Sequence, residues 1–185
     1  MARSSILVLV SGGVDSTACL HYYLEREKSP QALFINYGQA ASGPEGAAAV
    51  RIAGHYKVSL TQLKLSGCCD KSPGLVRGRN AYLALAALLE LPAGLTSIAL
   101  AIHSGTPYWD CSSEFVNTIQ GLFDAYTDGK VRLRVPFLRW SKGQILRYCL
   151  ERQVPLSLTY SCEAGVSPPC GDCPSCRDWE AARVL

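Results

Sequence analysis

Two groups of residues in this chain have types and spacings that carry chemistry. The first is Ser11-Gly12-Gly13-Val14-Asp15-Ser16-Thr17. Paired glycines let the backbone turn sharply and approach a ligand closely. A helix opening there would add unpaired N–H groups and a positive dipole end. With the hydroxyls, these make a cradle suited to phosphate. The spacing is neither Gly-x-x-x-x-Gly-Lys-Ser/Thr nor the Gly-x-Gly-x-x-Gly dinucleotide fingerprint. The second group is Cys162-x7-Cys170-x2-Cys173-x2-Cys176. Four thiolates in a short segment rich in proline and glycine suit tetrahedral zinc, with Zn–S bonds of about 2.3 Å. An iron–sulfur cluster takes the same ligands and is the runner-up. With sulfur in all four positions no site stays open for a substrate, so the metal is expected to be structural and to supply local folding free energy.

The surrounding pattern says how these groups are held. Residues 6–10 are a short apolar run that reads as a buried parallel strand, and residues 18–25 read as a helix capped by Asp15 or Ser16. Residues 32–36 form a second buried strand ending in Tyr37-Gly38-Gln39, whose polar groups would face a ligand crevice. A helix over 45–56 and a strand over 58–65 follow. Residues 66–77 are turn-rich and read as mobile, and they contain the vicinal pair Cys68-Cys69, which reads as loop thiols or as a redox or metal site. Asn80 caps a helix over 81–90 that is apolar nearly all round. It must be covered by the sheet and by another helix or a second subunit. A strand over 96–102 leads into His103 to Cys111, which should border the active site. In the helix over 113–126, Phe115, Val116, Ile119, Leu122, Phe123 and Tyr126 form one core-facing stripe. After a strand over 131–135, Ser141-x-x-Gln144 is a capping-box pattern opening a helix to about residue 152. Strands alternating with helices on this scale predict an α/β fold. Its sheet is Rossmann-like and mostly parallel, with helices on both faces, and a C-terminal zinc-binding knuckle follows over 159–178.

At 185 residues a single domain over 1–185 is the natural expectation. Nine cysteines are an odd number, and four of them sit in metal-like spacing, which favours a reducing compartment over a disulfide framework. No run approaches the ~20 apolar residues of a membrane helix, and residues 1–5 lead directly into the first strand without a signal peptide. A cytoplasmic location is expected. The net charge of +3 fits an anionic small molecule, and no basic extension points to direct nucleic-acid binding.

Ser11 to Thr17 resembles the pyrophosphate loop of the PP-loop ATP pyrophosphatases. A more specific resemblance runs through most of the chain in the same order. It is carried by Tyr37-Gly38-Gln39, Gly78-Arg79-Asn80, Tyr108-Trp109-Asp110-Cys111 with Glu114-Phe115, Ser141-Lys142, and Thr159-Tyr160-Ser161-Cys162 with Pro169-Cys170-Gly171-x-Cys173-x-Ser175-Cys176-Arg177. On these motifs the chain resembles the 7-cyano-7-deazaguanine synthase (QueC-like) family of PP-loop enzymes.

The resemblance implies an ATP-dependent ligase that adenylates the carboxylate of 7-carboxy-7-deazaguanine. Ammonia then gives the amide, and a second activation gives the nitrile. It implies that Ser11, Gly12, Gly13, Asp15, Ser16 and Thr17 hold the pyrophosphate end of ATP and that Asp15 helps to hold Mg²⁺. Asp15, Arg79 and Lys142 would be catalytic, the two cations neutralising charge on phosphate or carboxylate. Tyr37, Gln39, Asn80 and Asp110 would bind substrate. Asp110 would accept from the guanine-like edge, or would instead cap the next helix. Ala40-Ala41 stand where the family has Arg-His, Arg77 stands where it has Pro, and residues 103–107 are a shortened loop. These departures cluster at the crevice. They admit a second reading, an enzyme of antiviral operons that joins the deazaguanine to an amine of an operon-encoded partner through an opened site. Further alternatives are a tRNA-modifying PP-loop thiolase or a non-catalytic nucleotide-binding module; as partner, a second copy in a homodimer or an operon-encoded protein is expected.

Overall fold

The computed structural model describes residues 5–26, 29–65 and 76–182; Cys68 and Cys69 lie outside these residues. Five strands, β1 (Ser5–Leu9), β2 (Ser29–Asn36), β3 (Leu60–Lys64), β4 (Ser97–Ala99) and β5 (Arg132–Arg134), alternate with α1 (Val14–Glu25), α2 (Ser42–Tyr56), α3 (Arg79–Leu89), α4 (Ser113–Thr127) and α5 (Lys142–Glu151), and α6 (Pro174–Ala182) closes the chain. The strand order is β3-β2-β1-β4-β5 and every pairing is parallel, with Val8 opposite Ala32 on one side and Ala99 on the other. Ile6, Leu7 and Val8 are all buried, as a central strand covered on both faces requires.

The two faces have separate cores. On one, Ile6, Val8 and Val10 pack with Ala18 and Leu20 of α1, Ala48 and Ile52 of α2, and Ile145 and Cys149 of α5. On the other, Leu7 and Leu9 pack with Ala84 and Ala87 of α3 and Phe115, Ile119 and Phe123 of α4. The order reverses at β1, whose neighbours β2 and β4 carry the chain away in opposite directions. That places a crevice at the carboxyl ends of β1, β2 and β4.

Several local details differ from the sequence-based reading. Helix α1 begins at Val14, with Gly13 in extended backbone as its cap and no side-chain cap bond. The Ser16 and Thr17 hydroxyls donate back to the Gly13 carbonyl, at 3.1 and 2.8 Å. Helix α3 is capped by Gly78 at φ +72°, so Asn80 falls inside the first turn and is buried. The expected all-round cover of α3 is not seen in the single chain: Ala84 and Ala87 are buried, whereas Leu89 is 84% exposed. In α4 the stripe is narrower than expected, with Phe115, Ile119 and Phe123 buried and Tyr126 77% exposed. The cap of α4 is Ser112, which accepts from the Phe115 N–H at 3.1 Å, and not Asp110. Helix α6, inside the cysteine segment, was not expected; Pro174 stands at its first position, where a missing N–H costs nothing. No helix among the described residues is long and apolar enough to cross a membrane.

Candidate active site and metal site

Residues 11–13 leave the carboxyl end of β1 and turn into α1. Gly12 takes φ +84°, and a Cβ there would run into the Glu45 carbonyl and crowd Ala48 of α2, so this position accepts no side chain. Ser11 N–H donates to Ser16 Oγ at 3.1 Å and Gly13 N–H to Ser11 Oγ at 3.3 Å. The loop is thus shaped by its own hydroxyls. Thr17 is fully buried and its hydroxyl is engaged with the Gly13 carbonyl, so it braces the turn instead of facing the crevice.

Above the loop lies a cavity of about 420 Å³. Of the residues expected to act there, Ser11, Gly13, Asp15, Ser16, Tyr37, Gln39, Arg79, Asn80, Asp110 and Lys142 all line it, although they come from five separate stretches of chain. Gly12, within the loop, and Thr17, in the first turn of α1, do not line it. Asp15 and Lys142, 127 residues apart, form a bidentate pair, with Lys142 Nζ 2.6 Å from Oδ1 and 2.8 Å from Oδ2. Lys142 is placed by its helix: it is the first residue of α5, directly after Ser141, whose side chain and that of Gln144 make a reciprocal capping box.

The other substrate-side groups are anchored in turn. Gln39 accepts from the Tyr37 N–H at 3.0 Å and donates to Glu45 Oε2 at 2.8 Å. Burial pushes the Glu45 carboxyl up, opposed by the Gln39 hydrogen bond and the Arg79 charge. Asn80 donates to the Asp110 backbone carbonyl at 3.2 Å and accepts from Arg79 Nε at 3.4 Å, so one amide ties α3 to the turn that carries Asp110. Cys111 also lines the cavity, and burial pushes its thiol up, away from the thiolate a nucleophile would need.

Sequence reasoning did not single out four further lining residues, Glu45, Glu163, Asp178 and Trp179, and gave His103 no role beyond bordering the site. Glu163 and Asp178 had a legible signal in standing within two residues of the clustered cysteines Cys162 and Cys176. Glu45 had none, because its place follows from how α2 packs over the loop. The His103 Nε2 lies 3.7 Å from Asp15 Oδ2. Burial lowers the His103 pKa, as does Lys142, against the opposing pull of Asp15 and Asp178.

The four cysteines meet. The Sγ atoms of Cys162, Cys170, Cys173 and Cys176 all lie within 4.8 Å of one another, and those of Cys170 and Cys176 are 3.9 Å apart. Tetrahedral zinc with bonds of about 2.3 Å spaces its sulfurs about 3.8 Å apart, so the donor set and its dimensions fit zinc. Backbone N–H groups stabilise thiolate charge here: those of Cys170 and Cys173 donate to Cys162 Sγ and Cys170 Sγ, at 3.3 and 3.4 Å. At Cys162, burial would raise the thiol pKa, but the N–H donors of Cys170 and Ala164, with the side chains of Cys170 and Tyr160, outweigh it and hold the thiol below its ordinary value.

The knuckle is also a wall of the crevice. The Tyr160 N–H donates to the Gly12 carbonyl at 2.9 Å. Glu163 accepts from both the N–H and the hydroxyl of Ser175, at 3.3 and 2.9 Å, which fixes its carboxylate between two ligand-bearing turns. Gly165, at φ +70°, rests against the backbone of Ala40 and Ala41, where a Cβ would collide. The backbone of residues 40 and 41 therefore seats the knuckle, and Ala41 is buried.

Comparison with known proteins identifies the family. A family model described as "Queuosine biosynthesis protein QueC" matches residues 5–72 and 70–183. The 7-cyano-7-deazaguanine synthase of Aquifex aeolicus is 31% identical over 210 residues, covering 97% of this chain and 96% of that protein. The protein of the same name from Synechococcus sp. strain CC9605 is 30% identical, covering 98% and 93%. Among solved structures, the NMN synthetase of Francisella tularensis superposes with TM-score 0.54 at 15% identity, covering 92% of this chain and 71% of that one. The NH3-dependent NAD synthetase of Campylobacter jejuni gives 0.52 at 14%, covering 85% and 67%, and these two likenesses speak for the fold. With a family model that matches nearly the whole chain and relatives 30–31% identical along almost all of it, the chain belongs to the QueC family.

Proposed function

We propose that this chain is an ATP-dependent C–N bond-forming ligase that activates the carboxylate of 7-carboxy-7-deazaguanine and passes it to ammonia. The reading is supported by the names of the relatives and, in the site itself, by one observation above the others. Asp15 and Lys142 close as a bidentate pair over the glycine loop at the sheet's switch point. A carboxylate at neutral pH is a poor electrophile. Attack on the α-phosphate of ATP releases pyrophosphate and leaves an acyl-adenylate, and an amine then displaces AMP. Repeating the activation on the amide oxygen releases a second AMP and leaves the nitrile.

In this reading the loop amides and the Ser11 and Ser16 hydroxyls bind the pyrophosphate end of ATP, and Lys142 and Arg79 offset its charge. Asp15 is the carboxylate beside the loop that would hold Mg²⁺, which supplies charge neutralisation at the phosphates. Tyr37, Gln39, Asn80 and Asp110 line the same cavity and are assigned to the deazaguanine and adenine rings. The zinc expected at the four cysteines supplies folding free energy to the wall formed by residues 160–179.

The experiment is to incubate the protein with ATP, Mg²⁺, 7-carboxy-7-deazaguanine and ammonium, follow AMP, and weigh the product. AMP release that depends on the deazaguanine acid, with the nitrile mass, is the expected result. A product that forms only with a polypeptide amine would move the assignment to the partner-joining reading. Absence of acid-dependent AMP would overturn the ligase assignment.

A further inference from the structure

His103 is 8% exposed and ends the segment that follows β4. Its Nδ1 accepts from the Gly105 N–H at 3.1 Å, so the neutral ring carries its proton on Nε2. A Cβ at residue 105 would come within 2.9 Å of that Nδ1, so the turn holds the ring closely. The Nε2–H faces the crevice and Asp15 Oδ2, but at 3.7 Å it is too far to be a hydrogen bond. Oδ2 is instead served by Lys142, whose ammonium spends donors on both Asp15 oxygens.

This arrangement contains a conflict. Lys142 lines the same cavity as the glycine loop, and an incoming phosphate competes with Asp15 for its ammonium. An ammonium that swings to phosphate withdraws its donors from both Asp15 oxygens, and a Mg²⁺ held by Asp15 would use only part of the carboxylate's capacity of about four lone pairs, so leaving the remainder without a donor in this partly buried place is costly. One donor is poised to replace it. We propose that His103 is a positioning residue that takes over Asp15 when ATP draws Lys142 away: the Nε2–H closes the remaining gap to Oδ2, and the carboxylate stays satisfied and aimed while the lysine serves the nucleotide. The role rests on the nucleotide-binding part of the proposed function. It does not require the ring to change its protonation state.

The test exploits the geometry of two amide side chains. Glutamine places its amide nitrogen near the position of histidine Nε2, whereas asparagine reaches only to that of Nδ1. His103→Gln therefore keeps the donor toward Asp15, and His103→Asn keeps a partner for Gly105 but loses that donor. Binding of α,β-methylene-ATP with Mg²⁺, which cannot be cleaved at the reacting bond, is measured by calorimetry for wild type and both variants. Melting temperature is recorded alongside.

The asparagine variant should bind about tenfold more weakly, the weight of one hydrogen bond to a charged group, and the glutamine variant within about threefold of wild type. Imidazole ¹⁵N–¹H correlation spectra should show His103 in the Nε2–H tautomer; the chain has three histidines, so the signals are separable. Equal loss in both variants, unchanged binding in the asparagine variant, or an Nδ1–H tautomer would overturn the exchange. If the ranking holds but no AMP forms from the deazaguanine acid, the substrate assignment fails and this inference stands. A wild type that does not bind the analogue sinks both.

Discussion

At the residue scale, the site depends on two side chains that meet only because the chain folds. Asp15 and Lys142 are 127 positions apart, yet their charged atoms approach to 2.6 Å. Lys142→Met should leave the fold intact, because the residue sits at a half-exposed helix start, and should cut AMP formation about 10²- to 10³-fold, the usual weight of one charge-stabilising group. Asp15→Ala should likewise abolish AMP formation with little change in melting temperature, since Asp15 faces the crevice and not the core. Retained turnover in either variant would remove the pair from the mechanism. Gly12 makes a different kind of demand. Its φ of +84° and its contact with the Glu45 carbonyl leave no room for a methyl group. Gly12→Ala should weaken binding of the ATP analogue and lower the melting temperature together, whereas the two charge variants should separate those effects.

At the element scale, the turns at helix starts set the site's precision. The capping box of α5 holds the residue that precedes Lys142. Ser141→Ala should cost about 1 kcal/mol, a drop of roughly 2–4 °C in a chain of this size, and should reduce activity beyond what that loss explains, because the lysine's helical turn loosens. A variant with the same thermal loss and unchanged kinetics would show that Lys142 is positioned by its salt bridge alone. The order of strands and helices was legible in the sequence because buried parallel strands advertise themselves as apolar runs, as residues 6–10 and 32–36 do. The capping box at Ser141 was legible for the same local reason. The cap of α1 was not, because Gly13 does the work and the Ser16 and Thr17 hydroxyls turn back on it. The cover of α3 was misjudged: periodicity reports which residues are apolar, and tertiary packing decides which are buried, so Ala84 and Ala87 face the sheet while Leu89 faces outward. The motifs supplied the list of lining residues. Glu45 and the knuckle residues joined it only through packing across the crevice, which no local pattern encodes.

At the scale of the whole molecule, the cysteine knuckle and the candidate site's crevice are one construction. The knuckle touches the phosphate loop through the Tyr160–Gly12 hydrogen bond, presses on Ala40 and Ala41 through Gly165, and packs Trp179 against the core under α1 and α5. It also presents Glu163 and Asp178 to the cavity. A structural metal at four cysteines is therefore expected to control activity without touching substrate. Purified protein should contain about one zinc per chain. Stripping it with a strong chelator, or replacing Cys173 with Ser, should release the segment around residues 160–179. The melting temperature should fall, Trp179 should become more solvent-exposed in its fluorescence, and AMP formation should be lost even at saturating ATP. Binding of the ATP analogue should weaken less than turnover, because the glycine loop and Lys142 are carried by β1, α1 and α5, whereas the knuckle adds the part of the lining that holds Glu163 and Asp178. Readdition of zinc to the chelated protein should restore all three signals together. Full turnover in metal-free protein would separate the knuckle from the active site and leave it a purely peripheral staple.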